Sequence, residues 1–162
     1  MYTDFKELLS VFNAQNVKYL VVGAYAVSLY AQPHATKDLD ILIKADPENA
    51  SALYTALAKF GAPPEGLSAA DFAEKGPFFR MGRQPIAVDV FSEIPGVDFD
   101  AAWARRVEHI IDPTSGLIAN FISAEDLVSA KSAAGRPQDI ADVAAIREAA
   151  ESQKPGDSKD LS

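Results

Sequence analysis

The sequence contains no cysteine. That absence excludes a disulfide framework, a thiol nucleophile and a cysteine-ligated zinc site, and it fits a reducing compartment. Long apolar runs are also missing. The most apolar stretch, 17–29, is interrupted by Lys18, Gly23 and Ser28. It falls short of the roughly 20 residues that a membrane span needs. The chain does not open on a basic segment followed by an apolar one, so no secretory signal is expected. Asn49-Ala50-Ser51 then reads as a chance sequon. A cytoplasmic protein with no membrane partner is the expectation. Positive charge is scarce: 15 basic residues face 23 acidic ones, for a net charge of −8. Proteins that hold extended nucleic acid do so with basic surfaces, so extended DNA binding is not expected. The sequence also lacks a G-x-S-x-G elbow, a P-loop and a G-x-G-x-x-G turn, and its two histidines, His34 and His109, have no metal-ligand spacing. His109 reads as structural.

Hydrophobic residues make up 48% of the 162 positions, enough for a packed core. The length suits one domain, expected over residues 1–151. The polar stretch 152–162 is expected to be a disordered tail. Phe5, Leu8, Leu9 and Phe12 recur at helical spacing near residues 4 to 15. A buried strand over 17–22 ends at Gly23, and a short helix from Ala24 to Ala31 follows, closed by Pro33. Asp38–Ile43 is strand-like. Pro47 opens a helix to Phe60, closed by Gly61. Ser68 and Asp71 form a capping pair for a short helix. Residues 77–81 and 86–91 suggest a hairpin turning at Gly82-Arg83-Gln84, and 107–111 with 117–121 suggest another. Helices are expected near 98–106, from Ser123 to Ala134 with Gly135 as the stop, and from Pro137 to about Ala150. Phe78, Phe79 and Trp103 read as core. The order implies an α/β (α+β) fold: a mixed sheet packed against helices, with helices at the C-terminus.

Three aspartates stand out by position. Asp38 and Asp40 are two apart on a strand, so they share a face, while Leu39 and Ile41 point into the core. Adjacent carboxylates repel unless a cation or a shared proton lies between them. Hard divalent cations take oxygen ligands of this kind. Asp89 is the one acid in the apolar strand 86–91, and a buried carboxylate needs a partner. If that strand lies beside 38–43, the three acids converge. Asp98-Phe99-Asp100 has the same spacing but follows Pro95-Gly96 and precedes a helix, so it reads as a cap. Upstream, Val21-Val22-Gly23-Ala24 runs from strand to helix through glycine, which sets backbone N–H groups at a helix N-terminus suited to phosphate. Lys131 and Arg136 lie near the ends of C-terminal helices. Either they face the acids and meet phosphates, or they are solvated cations favoured by the helix dipole. Asp139 and Asp142 share a helix face, from which they either position those cations or favour the helix N-terminus.

The stretch from Tyr19 through Gly23-Ala24 to Ala35-Thr36-Lys37-Asp38-Leu39-Asp40-Ile41-Leu42-Ile43, with Ala87-Val88-Asp89-Val90-Phe91 downstream, resembles the signature of the nucleotidyltransferase (DNA polymerase β-like) superfamily. Residues 123–142, with Lys131, Arg136, Asp139 and Asp142, resemble the tail of its AbiEii-like and related uncharacterised branches, some of whose members are toxins of toxin–antitoxin pairs. The resemblance covers most of 17–150. It implies a metal site of Asp38, Asp40 and Asp89 holding Mg²⁺ (or Mn²⁺), and a nucleoside triphosphate bound through Gly23, Ala24, Thr36, Lys37 and Arg136. It also implies a catalytic set of Asp38, Asp40, Asp89 and Lys131. The implied acceptor is an RNA end such as a tRNA, a protein hydroxyl or a small molecule, and the implied companions are a cognate partner protein or a homodimer mate. The chain departs from the pattern twice: Ala24 stands where the family has a second glycine or serine, and His34 where it has arginine. The alternative is therefore a weak or inactive interaction module of the same fold.

Overall fold

The computed structural model describes residues 1–33, 36–61, 66–76, 78–82 and 87–153. His34, the turn residues Arg83 and Gln84, Ile86 and the tail from residue 154 onward lie outside them. In chain order the elements are α1 (Thr3–Ala14), β1 (Tyr19–Val22), α2 (Gly23–Tyr30), β2 (Asp38–Ile43) and α3 (Pro47–Phe60). A short 3₁₀ turn (Ala69–Phe72) leads to β3 (Phe79–Met81), β4 (Ala87–Phe91) and α4 (Phe99–Ala104). The chain continues through β5 (Val107–Asp112), β6 (Leu117–Phe121), α5 (Ala124–Ala134) and α6 (Pro137–Ser152).

Among the described residues the strands form one mixed sheet, ordered β3-β4-β2-β1-β6-β5. β2 is central to the function: it pairs antiparallel with β1 and parallel with β4. The parallel register sets Asp40 directly opposite Asp89. β3 closes one edge antiparallel to β4, and β5 closes the other antiparallel to β6. β1 and β6 run parallel.

The apolar pattern explains the layers. Phe5, Leu8, Leu9 and Phe12 form the buried stripe of α1. They join Leu20, Leu39, Ile41, Leu53 and Leu57 in a continuous core. All four residues of β1 are buried, as a strand covered on both faces requires. The capping signals at Asp98 and Ser123 act as read: Asp98 accepts from the Ala101 amide at 3.0 Å and Ser123 from the Asp126 amide at 3.1 Å, while α3 is capped by Asp46, which accepts from the Asn49 amide at 2.7 Å. Ser68 and Asp71 complete a capping box. Asp98-Phe99-Asp100 is thus a helix start.

Asn49 of the sequon is buried and has a structural task. Its side chain accepts from the Lys18 amide at 2.7 Å and donates to the carbonyls of Lys18 at 3.0 Å and Lys44 at 2.9 Å. It therefore ties the entry of β1 to the exit of β2, which fixes the strand that carries the acids. Asn49→Ala would leave these groups without their buried partners. We expect it to lower the free energy of unfolding by about 2–3 kcal/mol in urea titration; a change under about 0.5 kcal/mol would contradict this role.

Candidate active site

β2 alternates as its sequence demands. Leu39 and Ile41 are fully buried in the core, and Asp38 and Asp40 occupy the opposite face. The antiparallel register pairs Asp40 with Val22, which brings it beside Gly23 at the start of α2. Gly23 has φ of +69°, and a Cβ there would overlap the Asp40 carboxylate. Glycine is needed here on both counts: the left-handed backbone and the room for the acid. On the other side of β2, Asp89 is only 6% exposed. Burial raises the Asp40 carboxyl from an ordinary value of 3.8 to about 6, helped by the negative charges of Asp89 and Asp38 and by a hydrogen bond with Asp89.

The partner that balances Asp89 is a residue the sequence reading missed. Arg80 faces Asp89 across the β3–β4 pair and grips it bidentately, Nε to Oδ1 at 2.9 Å and Nη2 to Oδ2 at 3.0 Å. The same guanidinium lies 3.8 Å from Asp38. A hairpin with an arginine opposite a buried acid is a cross-strand signal. It requires the register, which the sequence alone does not supply.

Three carboxylates on neighbouring strands form a donor set that suits a hard divalent cation. Burial first, and the neighbouring acids second, keep the Asp40 carboxyl raised even with Arg80 nearby. Among the described residues, however, no three acidic or histidine side chains are gathered as a ready metal cage. Asp89 is turned to Arg80, so a cation held by all three acids requires that pair to rearrange.

A cleft of about 770 Å³ opens over this face. Of the residues singled out from the sequence, Gly23, Asp40, Phe78, Asp89, Lys131, Arg136 and Asp139 line it. Asp38, Ala24, Thr36 and Lys37 are not among its walls. The Thr36 hydroxyl is occupied with the backbone of Asp38 at 3.2 Å, shaping the entry to β2, and Lys37 is exposed. Lys131 comes from α5 with its side chain 13% exposed, held by Asp142 at 3.0 Å and Asp139 at 3.5 Å from α6. Arg136 grips Asp139 through Nε at 2.6 Å, which holds the Asp139 carboxyl below the usual range. Asp139 and Asp142 therefore do position the two cations, and Lys131 is no solvated helix-end charge. Phe78 is a correction. Expected in the core, it is 52% exposed in the cleft wall, because it precedes an edge strand, with Phe91 stacked on one face. Trp103 is half-buried beneath Arg106, whose guanidinium carbon lies 4.0 Å from the ring centroid. His109 is exposed on β5.

The protonation of Asp40 has a stability consequence with a definite sign. Its folded value of about 6 lies above the ordinary 3.8, so the native state holds the proton more tightly than the unfolded chain. Stability from this group is therefore lost as pH rises from about 4 to above 6. In a chelator-containing buffer we expect Asp40→Asn to be more stable than wild type by about 1–2 kcal/mol near pH 8, with the gain fading towards pH 4. Thermal unfolding across that range checks it; a gain that does not vary with pH would contradict the assignment.

Residues 2–149 match a family described as a nucleotidyltransferase of unknown function (DUF6036). No curated protein matches the sequence significantly. Among solved structures, the chain is similar to the solution structure of the antibiotic-resistance factor ANT(2'')-Ia, with a TM-score of 0.54 over 94% of this chain and 83% of that one, at 14% identity. At that identity the likeness concerns the fold, which matches the expected mixed sheet with C-terminal helices. With its three acids on adjoining strands and a family match over nearly its whole length, the chain belongs to this nucleotidyltransferase family.

Proposed function

We propose that the protein is a divalent-metal-dependent enzyme that transfers a nucleotidyl group from a nucleoside triphosphate to an acceptor hydroxyl. The observation that carries this reading is the juxtaposition of Asp40 and Asp89 on paired strands, with Gly23 against Asp40 and two cations, Lys131 and Arg136, in the same cleft. Asp38, Asp40 and Asp89 would hold Mg²⁺ or Mn²⁺. When bound, that ion neutralises charge on the α-phosphate and makes the acceptor hydroxyl easier to deprotonate.

The remaining chemistry falls to the chain. The α2 N-terminus at Gly23 offers backbone N–H groups to the β- and γ-phosphates. Lys131, directed by its ion pairs with Asp139 and Asp142, offsets charge that builds on the leaving pyrophosphate, with Arg136 beside it. The acceptor oxygen forms its bond to the α-phosphorus as the bond to the pyrophosphate oxygen breaks. Asp89, once released by Arg80, takes the hydroxyl proton. Net charge of −8 favours a small-molecule or protein acceptor over an RNA end.

A second reading rests on Arg80. A bidentate pair that already satisfies Asp89 suits an interaction module with no turnover, working with a partner protein as in a toxin–antitoxin pair. Calorimetric titration of ATP, GTP, CTP and UTP separates the two. The enzyme reading expects binding that requires Mg²⁺ and weakens at least about tenfold in Asp40→Ala, the cost of roughly 1.4 kcal/mol or more. Absence of binding to folded wild type would reject it and favour the module.

A further inference from the structure

The cleft wall holds the start of α2 at Gly23, the cations Lys75, Lys131 and Arg136, the acid Glu93 and two aromatic rings. Phe91 is two residues beyond Asp89 on β4, so both side chains leave the same face of the strand. Phe78 stacks on Phe91, with centroids 5.1 Å apart and planes at 26°. Phe78 is 52% exposed, one of the few large apolar side chains so open to solvent among the described residues. A half-bare phenyl ring in a cleft wall gains hydrophobic free energy when a flat ligand covers it.

A nucleoside triphosphate offers a partner to both kinds of group: an anionic tail for the cations and a flat, weakly polar base for the rings. The volume of about 770 Å³ is within the range of pockets that enclose one such ligand. With the α-phosphate at Asp40 and Asp89, the base of the same nucleotide is within reach of the ring pair one alternation further along β4. We propose that Phe78, backed by Phe91, is the stacking platform for the nucleobase of the donor nucleotide. This rests on the nucleotidyltransferase reading above and deepens it. Stacking uses the π-face that every base has, so the platform supplies affinity for a base without dictating which one.

Calorimetry with two probes tests it: Mg²⁺-ATP, which has a base, and Mg²⁺ with inorganic triphosphate, which has none. Phe78→Ala is expected to weaken ATP about 5- to 100-fold, the range seen when a stacking aromatic is removed. It should leave triphosphate affinity unchanged, and Phe78→Tyr, which keeps the ring, should bind ATP within about threefold of wild type. Wild-type affinity for ATP in Phe78→Ala would overturn the proposal while leaving the enzyme reading intact. Equal weakening of both probes would also overturn it, because the ring would then be acting on the phosphate end. Wild type that binds neither probe would refute the parent reading and this one with it.

Discussion

The structure turns on the close approach of the Asp40 carboxylate to the backbone of Gly23. Everything near the site follows from that contact. Residue 23 must be glycine, because its φ is positive and the acid fills the space of a side chain. β1 must pair with β2 so that Val22 faces Asp40. β4 must then add in parallel, which brings a second carboxylate beside the first. Burial, joined by the negative charges of Asp89 and Asp38, raises the proton affinity of Asp40. A fold that keeps such an arrangement forgoes stability at neutral pH, the usual mark of a site organised for chemistry rather than for packing.

Two sets of cations are held by carboxylates of the fold. Arg80 reaches in from the edge strand β3 and satisfies Asp89 directly. Lys131 and Arg136 approach from the C-terminal helices but are tied to acids of their own, Asp139 and Asp142. Those acids hold the second pair in the cleft wall. Arg80 compensates Asp89 across the strand pair, whereas Lys131 and Arg136 line the cleft.

Much of this was legible in the sequence. Helix ends were written in Pro47, Gly61, Ser123, Gly135 and Pro137, whose local chemistry admits few alternatives, and α3 and β2 have the bounds expected. Asp38, Asp40 and Asp89 were visible because acids at alternate positions in apolar strands contradict their surroundings. What stayed hidden depended on register and on what lies beyond an edge. Arg80 becomes a partner of Asp89 only once β3 and β4 are aligned. Phe78 looked like core because its neighbours are apolar, yet an edge strand offers one face to the protein and leaves the other open. Thr36 and Lys37 sit in the right stretch of sequence, but the approach to β2 turns them away from the cleft. Lys131 was ambiguous from sequence alone, since its partners lie across a helix break.

The most direct test is a crystal structure of the protein grown with Mn²⁺ and a non-hydrolysable nucleoside triphosphate, using the anomalous signal of manganese. The account predicts a peak bonded to Asp40 and Asp89, with Asp38 close by, and Arg80 withdrawn from its bidentate grip on Asp89. A nucleotide-bound structure in which Arg80 still holds Asp89 and no metal touches the acids would contradict it.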